Sequence, residues 1–288
     1  MITQWLPQYQ AQIESHIHDC FDRRYTSKEA VEITFEKAMR HAVEWGGKRL
    51  RTVLASVAYE HYSHKNSSDI LPSIIGIEMI HAYTLVHDDL PCMDNDDIRR
   101  GKPTVWKQYG ETMAVLVGDG LQTLGFELLA QSGDIRVIQE MTRAMGDWWV
   151  VRGQVRDTMI RHDSLALEEL LRIHDEKTGI FIAASLLVGA YLAHISDDEV
   201  DSLRHFGMFL GRAFQIRDDI LDVEWDAWEV GKKVWKDVKA GKGIVALIGL
   251  EASKELLSRY EEEMMTFTRS LRDEKFSDIV TFVVQRQK

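Results

Sequence analysis

Five aspartates, Asp88, Asp89, Asp94, Asp96 and Asp97, fall within ten positions of the segment EMIHAYTLVHDDLPCMDNDDIRRGKPT, residues 78–104. Unpaired carboxylates at that density repel one another, so a group that lines a cleft implies cations. Oxygen ligands without His or Cys favour magnesium or calcium. On one straight helix Asp88 and Asp94 would point about 240° apart, but Pro91 disfavours helix at Leu90, so the chain can bend and bring the two together. His81 lies seven residues before Asp88, hence on nearly the same helical face, where it can donate to a phosphate. Arg99 and Arg100 follow as permanently charged planar donors. A solvated acidic loop neutralised by two arginines is the plainer reading of the same run.

A second cluster lies in GRAFQIRDDILD, residues 211–222, where Gly211, Gln215, Asp218 and Asp222 fall at intervals of four, three and four and share one helical face. A small residue, an amide and two acids make a poor core stripe, so that face lines a cavity or meets water. The aspartates do not alternate around a glycine and no glutamate closes the run, so no EF-hand is present. Three further segments pair a cation with glycine: Gly46-Gly47-Lys48-Arg49-Leu50-Arg51, Lys177-Thr178-Gly179, and Gly231-Lys232 to Gly241-Lys242. Glycine lets backbone approach an anion while Lys and Arg neutralise it. None has the GxxxxGK[ST] spacing of a P-loop, and each taken singly is as much a helix terminus as a ligand site.

The elements that carry these residues read as helices. The 288 residues contain only four prolines and 45% hydrophobic residues, enough for a large core. Thr26 with Glu29 has the pattern of a capping box ahead of Val31, Phe35, Met39 and Val43, and Ser196 with Glu199 has it ahead of another helix. Leu167, Leu170, Leu171 and His174 mark one helical face, and Gly179 suggests a break before the next apolar segment. Period-two strand patterns flanked by hairpin turns are absent, which predicts an all-α bundle, and no linker or repeat divides it, which predicts one domain over residues 1–288. The apolar run from Ile180 to Ile195 is shorter than the ~20 residues of a spanning helix and is expected to be buried core.

Composition narrows the partners. A formal net charge of -11 argues against nucleic acid, and any phosphate ligand needs metal or a local basic patch. Cys20 and Cys92 are too few for a disulfide framework. The first residues, MITQWLPQYQ, have no signal-peptide pattern. A cytoplasmic protein without a membrane span is the expectation.

Taken together, GGKRLR, HAYTLVHDDLPCMDNDDIRRGKPT and FQIRDDILD, in this order and separation, resemble the trans-isoprenyl diphosphate synthases, or polyprenyl synthetases, and among them the bacterial farnesyl diphosphate synthases. The likeness runs from the GGKRLR segment to Arg286 and Lys288. It implies a single all-α helical domain around a deep central cavity, a homodimer, and two aspartate motifs facing each other across the cavity mouth. It implies magnesium as cofactor, three ions in all with manganese able to substitute, held by Asp88, Asp94 and Asp218 with support from Asp89 and Asp222. Lys48, Arg51, His81 and Arg100 would hold isopentenyl diphosphate, and Arg99, Lys177, Lys232 and Lys242 the allylic diphosphate. Thr178 and Gln215 would place oxygens near the developing carbocation, and Gln154, in RGQVRD, would line the same cavity. The implied reaction joins isopentenyl diphosphate to dimethylallyl or geranyl diphosphate.

Product length in such enzymes is limited by bulk before the first aspartate motif. Tyr83 stands five residues ahead of Asp88, and with the longer DDLPCMD this resembles the fifteen-carbon synthases; geranylgeranyl diphosphate is the alternative product. Some positions depart from the pattern. Thr52 stands where GGKRxRP has proline, Trp235 stands at a usual glycine, and Ile244-Val245 replaces a common Thr-Tyr, which puts closure of the Lys232 to Lys242 loop in doubt. A weakly active regulatory subunit is therefore a rival reading. A terpene cyclase is another, opposed by the DDILD motif and by the second-substrate residues Lys48, Arg51 and His81.

Overall fold

The computed structural model describes residues 1–26, 28–44, 46–160, 165–229 and 243–286, and it is almost entirely helical. The all-α expectation holds, with one small exception in a two-residue hairpin. The backbone divides into two compact units. An N-terminal unit comprises residues 3–139 and 188–195, and a C-terminal unit comprises residues 1–2, 140–187 and 196–288.

In the N-terminal unit α1 (Leu6–Arg24), α2 (Ala30–Val43) and α3 (Leu50–Ser63) precede α4 (Leu71–Asp88). Pro7 and Pro72 sit in the first turns of α1 and α4, where a missing N–H costs nothing. The Thr26–Glu29 capping box does not form. α2 begins at Ala30 with Glu29 as its N-cap, where no side chain makes the capping hydrogen bond, and Val31 is 69% exposed. The first turn of α2 lies off the core, so the apolar stripe that buries Met39 and Val43 starts later than its sequence pattern.

After α4 come β1 (Ile98–Arg99), β2 (Lys102–Pro103), α5 (Val105–Tyr109), α6 (Glu111–Ala130) and the start of α7 (Ile135–Met145). α4 and α6 pack face to face at two glycines: a Cβ on Gly76 would lie 2.7 Å from the Gly125 carbonyl oxygen, and one on Gly125 2.8 Å from that of Gly76. The close crossing sets α4, and hence the residues at its C-terminal end, against a rigid neighbour. Helical segments 67–88 and 111–130 are long and apolar enough to cross a membrane by length and composition alone.

The C-terminal unit contains α8 (Val150–Met159), α9 (Leu167–His174), a π-helical turn (Asp175–Gly179), α10 (Ile180–Leu192, here through Leu187), α11 (Asp197–Glu229), α12 (Ile244–Ile248), α13 (Leu250–Leu271) and α14 (Glu274–Gln285). The buried-core reading of Ile180 onward is correct: Ile180, Phe181, Ile182, Leu186 and Leu187 are each at most 2% exposed. The expected break at Gly179 is absent. The chain widens by one residue into the π turn and continues directly into α10. At the start of α11 the Ser196 hydroxyl donates to the Glu199 carboxylate (2.6 Å), a side-chain pair rather than the two side-chain-to-backbone bonds of a capping box. Phe206 stacks on Phe267 (5.0 Å between centroids) and meets Phe276 edge-on (5.9 Å), joining α11, α13 and α14.

Candidate active site

In the N-terminal unit the GGKRLR segment leads into α3 through Arg49, which adopts a left-handed backbone (φ 49°) and is buried. Its guanidinium pairs with Glu78 (2.5 Å) and donates to the Val43 carbonyl (2.7 Å), so Arg49 anchors the loop. The Thr52 hydroxyl donates to the Arg49 carbonyl (2.7 Å), a tie that proline could not make at this position. With Arg49 occupied in structure, Arg51 two residues later reaches α4 and donates to Nε2 of His81 (3.4 Å). Arg100 closes the group from the hairpin, its guanidinium donating to the Gly46 carbonyl. Lys48 is exposed on the same loop, its carbonyl accepting from Gln10 (3.2 Å).

The electrostatics of this group are dominated by burial and by its neighbouring guanidiniums. Burial pushes Arg51 down to about 10, Glu78 opposing and Arg100 adding to the shift. Burial, then Arg51, Arg100, Arg49 and Arg99 in that order, hold His81 well below the ordinary histidine range. The imidazole is therefore neutral at physiological pH, an acceptor toward Arg51. Arg51 contacts the ring, and the charges of Arg100, Arg49 and Arg99 also reach it. Arg49 is paired with Glu78 and Arg99 with Asp89, so Arg51 and Arg100 are the cations that a polyanion would offset.

The first aspartate motif begins where α4 stops. The helix ends at Asp88, two residues before the Leu90 boundary that Pro91 suggested, and Asp89 caps it. The chain then folds back: the Asp94 N–H donates to the Asp88 carbonyl (2.9 Å) and the Asp96 N–H to that of Asp89 (3.2 Å). The bend thus brings the backbone of Asp94 onto that of Asp88, with the Asp94 side chain exposed. Asp89 is different, being only 3% exposed and gripped by Arg99, whose Nε donates to both carboxylate oxygens (2.7 and 2.9 Å). In this state Arg99 orients Asp89. Asp97 pairs with Lys107 (2.9 Å), while the carbonyl of Asp96 accepts from Thr104 and from the Trp106 indole. Arg100 and Gly101 both have positive φ (52° and 75°), the two central positions of a tight hairpin turn joining β1 to β2. Sequence reading missed this hairpin because two paired residues leave no alternation to detect.

Five residues before Asp88, Tyr83 is buried (7% exposed) between α4 and α6, bonded to Gln122 and edge-on to His87 (6.0 Å). Burial raises its phenol above the usual range, Gln122 opposing and the charge on Asp88 adding.

In the C-terminal unit the π turn is held residue by residue. Asp175 accepts two bonds from Arg212 of α11 (2.6 Å each). Glu176 meets Arg152, Arg156 and Arg172. Lys177 pairs with Asp157 of α8 (2.6 Å), and the Thr178 hydroxyl donates to Oε1 of Gln215 on α11 (2.6 Å). Lys177, Thr178 and Gln215, expected to act together, are thus brought together. Gln154 lies on α8 beside Gly153, and a Cβ on Gly153 would come within 2.5 Å of the Lys177 nitrogen. α8 rests directly on the π turn because that position has no side chain.

On α11, Gln215 and Asp218 are half-buried and Asp222 is exposed. Asp218 pairs with Arg286 near the end of the chain (2.5 Å). Asp219, which sequence reading passed over, accepts from the Ile244 N–H (2.7 Å) and so fixes the start of α12. Burial pushes its carboxyl up to about 7; the Ile244 N–H opposes, and Asp218, Asp222 and Asp157 add to the shift. Asp157 and Glu176 were also missed, although Asp157 stands three residues after Gln154 within RGQVRD. Lys232, Trp235 and Lys242 lie outside the described residues.

Among the described residues no three His, Cys, Asp or Glu side chains converge to enclose a cation. Mg²⁺ keeps several waters and takes one or two carboxylates, with phosphate oxygens completing its shell. Exposed Asp94 and half-exposed Asp88 in the N-terminal unit, and exposed Asp222 and half-exposed Asp218 in the C-terminal unit, are each donors of a kind that fits magnesium arriving with a diphosphate.

Comparison with known proteins accords with this arrangement. The chain is 39% identical over 248 residues to the farnesyl diphosphate synthase of Bacillus subtilis (strain 168), covering 83% of each. It is 39% identical over 285 residues to geranylgeranyl pyrophosphate synthase 7, chloroplastic, of Arabidopsis thaliana, covering 94% of this chain and 81% of that one. Its fold is similar to the crystal structure of a geranyltransferase from Legionella pneumophila, with a TM-score of 0.82 and 26% identity over 98% of this chain and 95% of the other. The polyprenyl synthetase family model matches residues 32–280. The chain belongs to the polyprenyl synthetase family.

Proposed function

We propose that this protein is a magnesium-dependent prenyltransferase that joins isopentenyl diphosphate to an allylic diphosphate, with farnesyl diphosphate as its main product. The observation that carries the reading is the Arg51–His81–Arg100 group: cations massed around a neutral histidine at the base of the first aspartate motif. Arg51, His81 and Arg100, with Lys48, bind isopentenyl diphosphate. Lys177 and Arg99 exchange their carboxylate partners, Asp157 and Asp89, for the allylic diphosphate. Lys232 and Lys242 are assigned to the same anion, and Gln154 to the wall that receives the allylic chain.

Magnesium, held by Asp88, Asp94 and Asp218 with Asp89 and Asp222 in support, supplies charge stabilisation for the leaving diphosphate. Thr178 and Gln215, already bonded to each other, direct oxygens toward the carbocation that forms when the allylic C–O bond breaks. The double bond of isopentenyl diphosphate attacks that carbon, a new C–C bond forms, and the proton lost from the adjacent carbon passes to the released diphosphate. No protein nucleophile is required. Tyr83, bulky and buried ahead of Asp88, favours a fifteen-carbon over a twenty-carbon product, geranylgeranyl diphosphate being the alternative. A cytoplasmic homodimer is the working form we assign.

The test is direct. Purified protein is incubated with isopentenyl diphosphate, geranyl or dimethylallyl diphosphate and magnesium, and the chain length of the product is measured. A fifteen-carbon diphosphate, lost on chelation of the metal, supports the reading. Absence of any condensed product rejects it and leaves the regulatory-subunit alternative.

A further inference from the structure

Of the four residues from Asp175 to Thr178 the proposed chemistry uses only Lys177 and Thr178, yet Glu176 is the most deeply buried, at 1% exposure. Its carboxylate receives Arg152 (2.8 Å), Arg156 (3.1 Å) and Arg172 (3.0 Å). Arg152 (21% exposed) and Arg156 (32% exposed) reach it from α8, and Arg172 (56% exposed) from α9. Burying such a group is not an efficient route to stability, because desolvation offsets the attraction.

The geometry points to another use. Arg152 and Arg156 lie one turn apart on α8, on either side of Gly153 and Gln154, and Asp157, which holds Lys177, follows Arg156 directly. The same helix therefore grips Glu176 and Lys177, while α11 grips Asp175 through Arg212 and Thr178 through Gln215. Consecutive side chains of the turn are pinned to two helices, and the widened turn cannot rotate without breaking both sets.

We propose that Glu176, clamped by Arg152 and Arg156, is a positioning residue that fixes the π turn so that Lys177 and Thr178 meet the allylic diphosphate. This rests on the roles given above to Lys177 and Thr178.

Glu176→Gln keeps the shape and removes the charge. Wild type and variant are compared for calorimetric binding of geranyl thiodiphosphate, an unreactive allylic analogue, and for turnover, with thermal melting as the check on folding. The expected result is roughly tenfold weaker binding of the analogue and a kcat lower by at least as much. KM for isopentenyl diphosphate, whose ligands lie in the N-terminal unit, stays within about twofold. Glu176→Asp, which retains the charge, restores part of kcat. A folded Glu176→Gln protein with wild-type analogue affinity and kcat overturns the inference and leaves the proposed function standing. Wild-type protein that neither binds the analogue nor turns over removes the proposed function and the inference together. If Glu176→Gln does not fold, Arg152→Gln decides: weakened analogue binding with an unchanged isopentenyl diphosphate KM supports the clamp, and wild-type constants overturn it.

Discussion

Arg286 reaches back from the end of α14 to pair with Asp218 at 2.5 Å, its guanidinium 3.6 Å from the Phe214 ring centroid and bonded to the Phe214 carbonyl (2.8 Å). The Arg286 carbonyl is in turn held by Arg217 (2.9 and 3.1 Å). A proposed metal ligand is thus occupied by a protein cation whose side chain is 2% exposed. Because Asp218 itself is 43% exposed, the pair contributes less than a fully buried one. Arg286→Gln is expected to cost about 1–2 kcal/mol in urea unfolding, from the lost pair and stacking. It should also lower the magnesium concentration needed for half-maximal turnover, since the competing guanidinium is gone. A raised magnesium requirement would show that Arg286 assists the metal rather than excluding it.

His81 gives a pH dependence whose sign is fixed. Its folded-state pKa lies well below 6.5, so the unfolded chain binds more protons than the folded one between that depressed value and about 6.5. The groups that face it, Arg51, Arg100, Arg49 and Arg99, all act in this direction. Stability should therefore be fully present above pH 6.5 or so and fall as the solution is acidified below it. His81→Gln should flatten that acid-side slope in denaturation measured from pH 5 to 8. An unchanged slope would mean that the ring is not held neutral.

How far the site is legible in the sequence depends on whether its residues are local. Asp88, Asp94, Gln215 and Asp218 could be grouped because helix periodicity and one proline govern them. The pairing of Thr178 with Gln215 is invisible to spacing, since 37 residues separate them. Resemblance alone united them. Glu176 and Asp157 were missed for a related reason: a single acid in a polar stretch reads as surface, and only tertiary packing shows Glu176 among three arginines and Asp157 against Lys177. Gly179 misled because glycine commonly ends helices, whereas here the chain runs through it into α10.

Tyr83→Ala tests the limit on product length. Replacing a buried tyrosine should cost about 3–5 kcal/mol, so the variant must first be shown to fold. Space opened between α4 and α6 ahead of Asp88 should let the product grow past fifteen carbons. Tyr83→Phe keeps the ring and loses only the bond to Gln122, and should retain wild-type length. If Tyr83→Ala folds and still stops at fifteen carbons, the ring is packed core and another group sets the length.

Gly153→Ala probes the contact between α8 and the π turn with the smallest possible change. The added methyl would lie 2.5 Å from the Lys177 nitrogen and 2.6 Å from the Glu176 carbonyl carbon. Both are backbone atoms, so no side-chain rotation relieves the clash, and α8 must shift as a body. Alanine is otherwise the better helix former, and at an exposed site the exchange would stabilise α8 by about 1 kcal/mol. Overpacking should reverse that sign, giving a net loss of about 1–3 kcal/mol in thermal or urea unfolding. Because the shift carries Asp157 and Gln154 with it, turnover should fall further than stability alone explains. A Gly153→Ala protein as stable and as active as wild type would mean that α8 does not rest on the turn as described.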